Sequence, residues 1–358
     1  MKVQRIVNLD LFRAIAILFV VFFHTTQMFA GDKVNADYYL WGKFGVEFFF
    51  VLSGFLVGGL FYKQTVKVNL LRFWFLRFFR TYPPYFIALL LSYLAVLFTR
   101  NEKFNLGYLI FIQNFYSNIP YFKVSWSLCI EEHFYLLFPV VILISEKIIK
   151  VPVFQLIFWI ILCLLPAFLR WKFGSIRPEF FGYYETASFF RFEGIAMGCL
   201  LAFIIYRLKL KIEMSFFLKL IVTAFFLIML FVNVYFKNFT ATYCFGYLLL
   251  NISILLLLAV FYFSKGFKIA GNSVVATVAS MAYSLYLTHA LTINLMGIVA
   301  NKIRLSTVLM YPITLVAIFI VGFIFYKLVE QPTINIRNLY FYPDKSGKNK
   351  FAQIFQFG

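Results

Sequence analysis

Apolar runs of about twenty residues recur along the whole chain, with no strand-like alternation of polar and apolar positions. An α-helix needs about 20 such residues to cross the roughly 30 Å of hydrocarbon in a bilayer. Ten segments meet that length: 11–30, 44–62, 83–99, 127–145, 152–169, 188–206, 216–236, 243–263, 275–299 and 307–326. The missing period of two excludes a transmembrane barrel. Composition agrees, since 63% of the 358 residues are apolar and only 13% are charged, against about 25% charged in a soluble domain. So few charges cannot coat a soluble surface, and lipid must be the main solvent. The expected fold is all-α, a polytopic membrane helix bundle of about ten transmembrane helices. The first segment is not read as a signal peptide, because polar residues recur inside it and further spans follow. One transmembrane domain is expected over 1–338 and a short, basic, aromatic cytoplasmic tail over 339–358. The stretch 104–116 is apolar but too short to span, so it is expected to be interfacial or re-entrant.

The formal charge is +19. With the N-terminus placed inside, the loops on that side carry about twice as many Lys and Arg as the loops on the other. The positive-inside rule then puts both termini in the cytoplasm of a multi-pass plasma (inner) membrane protein. No dense Lys/Arg tail of the kind that binds nucleic acid is present. Cys129, Cys163, Cys199 and Cys244 lie singly in apolar segments, none spaced as CxxC. With only three histidines, no metal site is expected.

Ionisable residues within the spans are the informative ones. Each costs at least about 2.5–3.5 kcal/mol at mid-bilayer, so each requires a function or a partner. In span 1, Arg13 and His24 are eleven residues apart. That separation is about 20° past three helical turns, which places them on one face roughly 16 Å apart. Asp10 lies one turn before Arg13 and can pair with it. The stripe reads either as a substrate path, with Arg13 near its entrance and His24 at the chemistry, or as a buried imidazole below a snorkelling arginine. In span 4, Ser127, Glu131 and Tyr135 are four apart and share a face, whereas Glu132 and His133 point elsewhere. Three adjacent ionisable residues inside an apolar run are hard to explain as packing and point to function, with an interfacial cluster facing water as the alternative. Span 2 carries Glu47, which Lys43 could neutralise in a rim ion pair, and has Gly45 and Gly54, which let another backbone approach. Span 6 holds Arg191 and Glu193 beside Gly194 and Gly198; span 9 holds Tyr283, Ser284, Tyr286 and His289, with Ser284 read as an interhelical hydrogen bond. Between spans 2 and 3, residues 63–85 read as a loop with Arg72, Arg77, Arg80 and no acid. These arginines either set topology and touch anionic lipid or dock a phosphorylated ligand, for which the planar guanidinium is well shaped.

Taken in order, Arg13 to His24, Phe44 to Phe55, Arg77-Phe78-Phe79-Arg80, Ser125-Trp126-Ser127-Leu128 with Glu131, Phe134 and Tyr135, Tyr283 to His289, and Val329-Glu330-Gln331-Pro332 resemble the acyltransferase-3 family of integral membrane proteins. That family includes bacterial O-acetyltransferases of lipopolysaccharide O-antigen, exopolysaccharides and Nod factors. The resemblance covers about residues 4–338. It implies an enzyme that moves an acyl group, acetyl by expectation, from cytoplasmic acyl-CoA to a hydroxyl of an extracytoplasmic or lipid-linked glycan. Acyl-CoA is then a donor substrate, and no tightly bound cofactor is implied. The family's span-1 arginine and histidine map to Arg13 and His24, its span-4 acid to Glu131 with Glu132 beside it, and its arginine pair to Arg77 and Arg80. The sequence leaves no room for the C-terminal extracytoplasmic hydrolase-like domain that some members carry, which is expected to be absent.

On that resemblance, Arg72, Arg77 and Arg80 would meet the donor's phosphates, and His24 would act as general base on the acceptor hydroxyl. Transient acylation of the imidazole is a second route. Glu131 would orient the imidazolium, as the carboxylate of a hydrolase triad does, which requires spans 1 and 4 to be neighbours. A different class, a proton-coupled transporter or exporter of a glycan intermediate, also uses intramembrane carboxylates and histidines. It should show an internal repeat with discontinuous helices, and the two halves of this sequence show none.

Overall fold

The computed structural model describes residues 7–30, 39–63, 69–100, 103–116, 118–174, 181–210, 213–235, 245–264 and 272–341. The expected tail falls largely on 342–358, outside the described residues. Thirteen α-helices follow in chain order: α1 (Val7–Ala30), α2 (Tyr39–Tyr62), α3 (Leu70–Arg100), α4 (Ser125–Ile148), α5 (Pro152–Gly174), α6 (Phe181–Thr186), α7 (Glu193–Ala202), α8 (Phe216–Tyr235), α9 (Tyr247–Phe263), α10 (Asn272–Ser280), α11 (Ala282–Ile303), α12 (Thr307–Phe325) and α13 (Gln331–Phe341). Among the described residues there are no strands. Among the described residues, six helical stretches are long and apolar enough to cross a membrane unaided: Val7–Phe29, Phe44–Tyr62, Ser125–Ile148, Pro152–Gly174, Ala282–Ile303 and Thr307–Tyr340. Shorter apolar helices, Phe216–Val232 and Tyr247–Phe263, add to them. The chain is an all-α integral membrane bundle. Its outer helices keep Phe217, Ile221, Leu227, Val308, Val316 and Ile320 exposed, as a lipid-facing surface requires.

Several elements depart from the sequence reading in instructive ways. The arginine-rich segment is not a loop: α3 begins at Leu70 and runs 31 residues straight through Pro83 and Pro84. Each proline removes one i→i−4 donor, yet the helix continues, because its flanks pack against α4, α11 and α13. Span 9 is broken at Met281 into α10 and α11. Span 6 divides into a 3₁₀ turn (Ser188–Phe190), α7 and a π-helical turn (Phe203–Arg207). The short 104–116 stretch folds as two 3₁₀ turns, Leu106–Ile110 and Gln113–Phe115. It lies against α3 and α4, where the fully buried Gln113 donates to Tyr85 Oη at 3.1 Å and Ser125 Oγ at 3.0 Å.

Small residues set the closest helix contact. A Cβ on Gly54 of α2 would lie 1.9 Å from the Ile195 carbonyl of α7, and one on Gly198 would lie 2.1 Å from the Val51 carbonyl. The two backbones touch, as expected of Gly54. Gly45 likewise admits α1, since a Cβ there would meet the Ala16 carbonyl at 2.6 Å. Around this centre α1 packs on α2, α10, α11 and α12, while α4 packs on α2 and α3.

Candidate functional site

A cavity of ≈ 120 Å³ opens where α1, α2, α3, α4, α10 and α11 converge. Arg13, Arg77, Arg80, Ser127, Glu131, Tyr135 and Tyr286, all singled out from the sequence, line it together with apolar Val46, Phe49 and Leu52. The period of an α-helix explains the α4 contribution, because Ser127, Glu131 and Tyr135 project from one face into one space. Tyr135 Oη lies 3.1 Å from Glu131 Oε2 and 2.9 Å from Ser53 Oγ. The Arg77 guanidinium sits 3.3 Å from the Tyr135 ring centroid, a cation–π stack that holds it beside the acid. Arg77, Arg80 and Arg13 all act electrostatically on Glu131. Arg13 lies 3.9 Å from Asp10, one turn back. One wall is thus cationic around a single carboxylate, and it can hold an anion.

Ser127 and Tyr286 close the opposite end through a 2.5 Å contact between their hydroxyls, and Tyr286 Oη donates to the Val124 carbonyl at 2.9 Å. Directly behind Tyr286 stands an imidazole pair. His289 Nδ1 is 2.7 Å from the Tyr286 carbonyl, and His289 Nε2 is 3.1 Å from His24 Nδ1. The two rings lie 5.0 Å apart at 30°. Arg13 and His24 therefore occupy one α1 stripe that passes from the cationic wall to the imidazoles. Tyr283 Oη bonds the Thr81 carbonyl at 2.9 Å, fixing α11 to α3, and Ser284 Oγ donates to Glu330 Oε2 at 2.5 Å. The interhelical role read for Ser284 is what the structure has.

Other expectations are corrected. α4 is not among the main neighbours of α1; α2 packs on both. The partner of the His24 ring is His289, and Glu131 bonds Tyr135 instead. Arg72 does not line the cavity; it is exposed on the first turn of α3, where its backbone N–H is capped by Asn69 Oδ1 at 3.0 Å. As the helix period implied, Glu132 and His133 do not share the cavity-facing side of α4, and Glu132 lies within hydrogen-bonding reach of Thr81. His133 bonds Ser188 Oγ at 2.6 Å. The side chain of Lys43, the suggested partner of Glu47, lies outside the described residues.

Glu47, Arg191 and Glu193 belong to a second, separate cluster. Glu47 pairs with Arg191, and Arg170 pairs with Glu193 at 2.8 Å; all four side chains are fully buried. The Arg191 guanidinium also lies 4.0 Å from the Tyr247 ring and donates to the Glu185 carbonyl at 2.8 Å. This network ties α2, α5 and α7 together, and none of its charges lines the cavity. Sequence reasoning missed Arg170 because it follows the apolar run of α5 and reads as a flanking charge. Tyr247 and Gln113 also went unseen, since a buried polar side chain in a loop or at a helix start leaves no periodic signal. Among the described residues, no group of three or more His, Cys, Asp or Glu is placed to hold a metal ion.

The helical bundle thus brings three arginines and a carboxylate to one cavity, and the imidazole pair stands outside its lining, joined to it through Tyr286. Residues 6–327 match the family described as Acyltransferase domain, and the chain belongs to that acyltransferase-3 family. O-acetyltransferase OatA of Staphylococcus aureus (strain NCTC 8325 / PS 47) is 30% identical over 231 residues, 58% of this chain and 36% of that protein. "Putative O-acetyltransferase SACOL0978" of Staphylococcus aureus (strain COL) is 26% identical over 321 residues, 82% of this chain and 51% of that protein. The chain thus spans about a third to a half of the length of the curated relatives it matches. No solved structure matches it.

Proposed function

We propose that this chain is an integral membrane O-acyltransferase. It takes an acyl group, acetyl first among candidates, from acyl-CoA on the cytoplasmic side and delivers it to a hydroxyl of a glycan, extracytoplasmic or lipid-linked. The names of the O-acetyltransferase relatives support the group transferred. The observation that carries the reading is the convergence of Arg13, Arg77, Arg80, Glu131 and Tyr286 on one cavity, with His24 reached from Tyr286 through His289. The arginines grip the donor's phosphates as planar, bidentate donors. His24 accepts the proton of the acceptor hydroxyl while its oxygen attacks the thioester carbonyl. Collapse of the tetrahedral intermediate breaks the C–S bond, and the coenzyme leaves as thiolate, which takes up the proton held on His24. Glu131 accepts from the hydroxyl of Tyr135, on whose ring Arg77 stacks, and so fixes the phosphate-binding wall.

Purified protein in detergent should release free thiol from acetyl-CoA when an oligosaccharide acceptor is supplied. His24→Ala should abolish release while membrane levels stay near those of the native chain. Transfer retained in His24→Ala refutes the assignment of the base.

A further inference from the structure

The hydrogen-bond chain through the two imidazoles fixes where their protons sit. The Tyr286 carbonyl is an acceptor only, so His289 must present N–H from Nδ1, the nitrogen 2.7 Å away. The Leu285 carbonyl, 3.2 Å from the same nitrogen, makes the same demand. A neutral imidazole with Nδ1 protonated has a lone pair on Nε2. That lone pair faces His24 Nδ1 at 3.1 Å, so His24 must donate from Nδ1. His24 Nε2 is then left as the lone pair of the pair, the only ring nitrogen of the two able to take a proton.

We propose that His289 is the positioning residue of His24: it accepts the Nδ1 proton, holds the ring, and leaves Nε2 as the basic nitrogen. The inference rests on the reading of His24 as general base. A neutral imidazole here does what a carboxylate does in a hydrolase triad, with a backbone carbonyl as the third member. When Nε2 takes the hydroxyl proton, His24 becomes imidazolium and its Nδ1–H···Nε2 bond to His289 becomes charge-assisted and stronger. The proton returns from Nε2 to the departing thiolate, so His289 neither gains nor loses one. No carboxylate is needed against His24, which accounts for Glu131 being occupied with Tyr135 instead.

With only three histidines in the chain, ¹⁵N-histidine labelling is tractable, and His24→Ala and His289→Gln assign the signals. The resting protein should show Nδ1–H on both rings and a through-hydrogen-bond ¹⁵N–¹⁵N coupling from His24 Nδ1 to His289 Nε2. Nε2–H on His24, or no coupling, overturns the proposal. In acyl transfer, His289→Leu should lower kcat by about 10²-fold or more with KM for acyl-CoA within about twofold. His289→Gln, whose amide oxygen can accept the same proton, should recover most of that loss. A Gln variant as poor as Leu would mean that His289 only fills space. If the coupling is present and the native protein transfers no acyl group, the reading of the site as an acyltransferase centre fails while the imidazole pairing stands.

Discussion

Replacing Gly54 by alanine tests the contact on which the bundle is built. The new methyl would stand 1.9 Å from the Ile195 carbonyl oxygen, 2.8 Å from its carbon and 3.0 Å from its Cα. All three are backbone atoms of α7, so no side chain can swing aside. To restore an ordinary contact of about 3.4 Å, α2 and α7 must part by about 1.5 Å, and gaps of that order forfeit a large share of the dispersion well along the interface. Overpacking of this kind costs about 1–3 kcal/mol, and the rigid neighbours place Gly54→Ala near the top of that range. At about 2.1 cal/mol/K per residue, a chain of 358 residues shifts its midpoint by about 1.3 °C for each kcal/mol, so unfolding in detergent should occur about 3–4 °C lower, read by tryptophan fluorescence. Gly198→Ala should behave alike, its methyl meeting the Val51 carbonyl at 2.1 Å. The double variant should fall short of the sum, because the gap opened by one methyl accommodates the other. Gly59→Ala is the control: its methyl meets only the Tyr206 ring, at 2.9 Å, a side chain that can move. A Gly54→Ala midpoint no lower than that of Gly59→Ala would refute direct backbone contact between α2 and α7.

Two further outcomes probe the charges. Glu47→Ala leaves Arg191 without its buried carboxylate and should cost about 3–5 kcal/mol, measured as loss of monodisperse protein on denaturant titration, whereas Glu47→Met with Arg191→Met should recover most of it. Arg77→Gln with Arg80→Gln should weaken acyl-CoA binding at least about tenfold and flatten its salt dependence, followed by calorimetry at low and high ionic strength; unchanged binding would return these arginines to a topological role.

What could be read in the sequence was whatever one helix carries by itself. The apolar runs located the spans, the four-residue period aligned Ser127, Glu131 and Tyr135, and the eleven-residue period joined Arg13 to His24. Each is a property of a single cylinder; the two periods hold in the structure, whereas of the ten apolar segments six stretches are long and apolar enough to cross unaided among the described residues and spans 6 and 9 are broken. Relations between cylinders were not legible. His24 met His289, 265 residues away, where a carboxylate from span 4 was expected, because nothing in one sequence states which helix stands beside which. Arg170 looked like a flank because burial depends on α7 covering it. Pro83-Pro84 looked like the end of a loop because local chemistry favours breaking a helix there, and only packing on α4, α11 and α13 overrides it.

Two π-helical turns among the described residues set a rule of tolerance. Phe203–Arg207 and Tyr326–Glu330 each end on a charged side chain that reaches a different helix: Arg207 Nε lies 3.2 Å from Glu146 Oε2, and Glu330 receives Ser284. A π turn holds one residue more than the α turn it replaces. Losing that residue would turn the π turn back into an α turn that spans about the same rotation, so α13, which packs on α3, would keep its face. The deletion removes the bulge itself and with it the placement of Glu330 against Ser284. A residue added beyond the bulge has nothing to absorb it and would turn the rest of α13 by about 100°: at Tyr326–Glu330 a one-residue deletion should be tolerated better than a one-residue insertion.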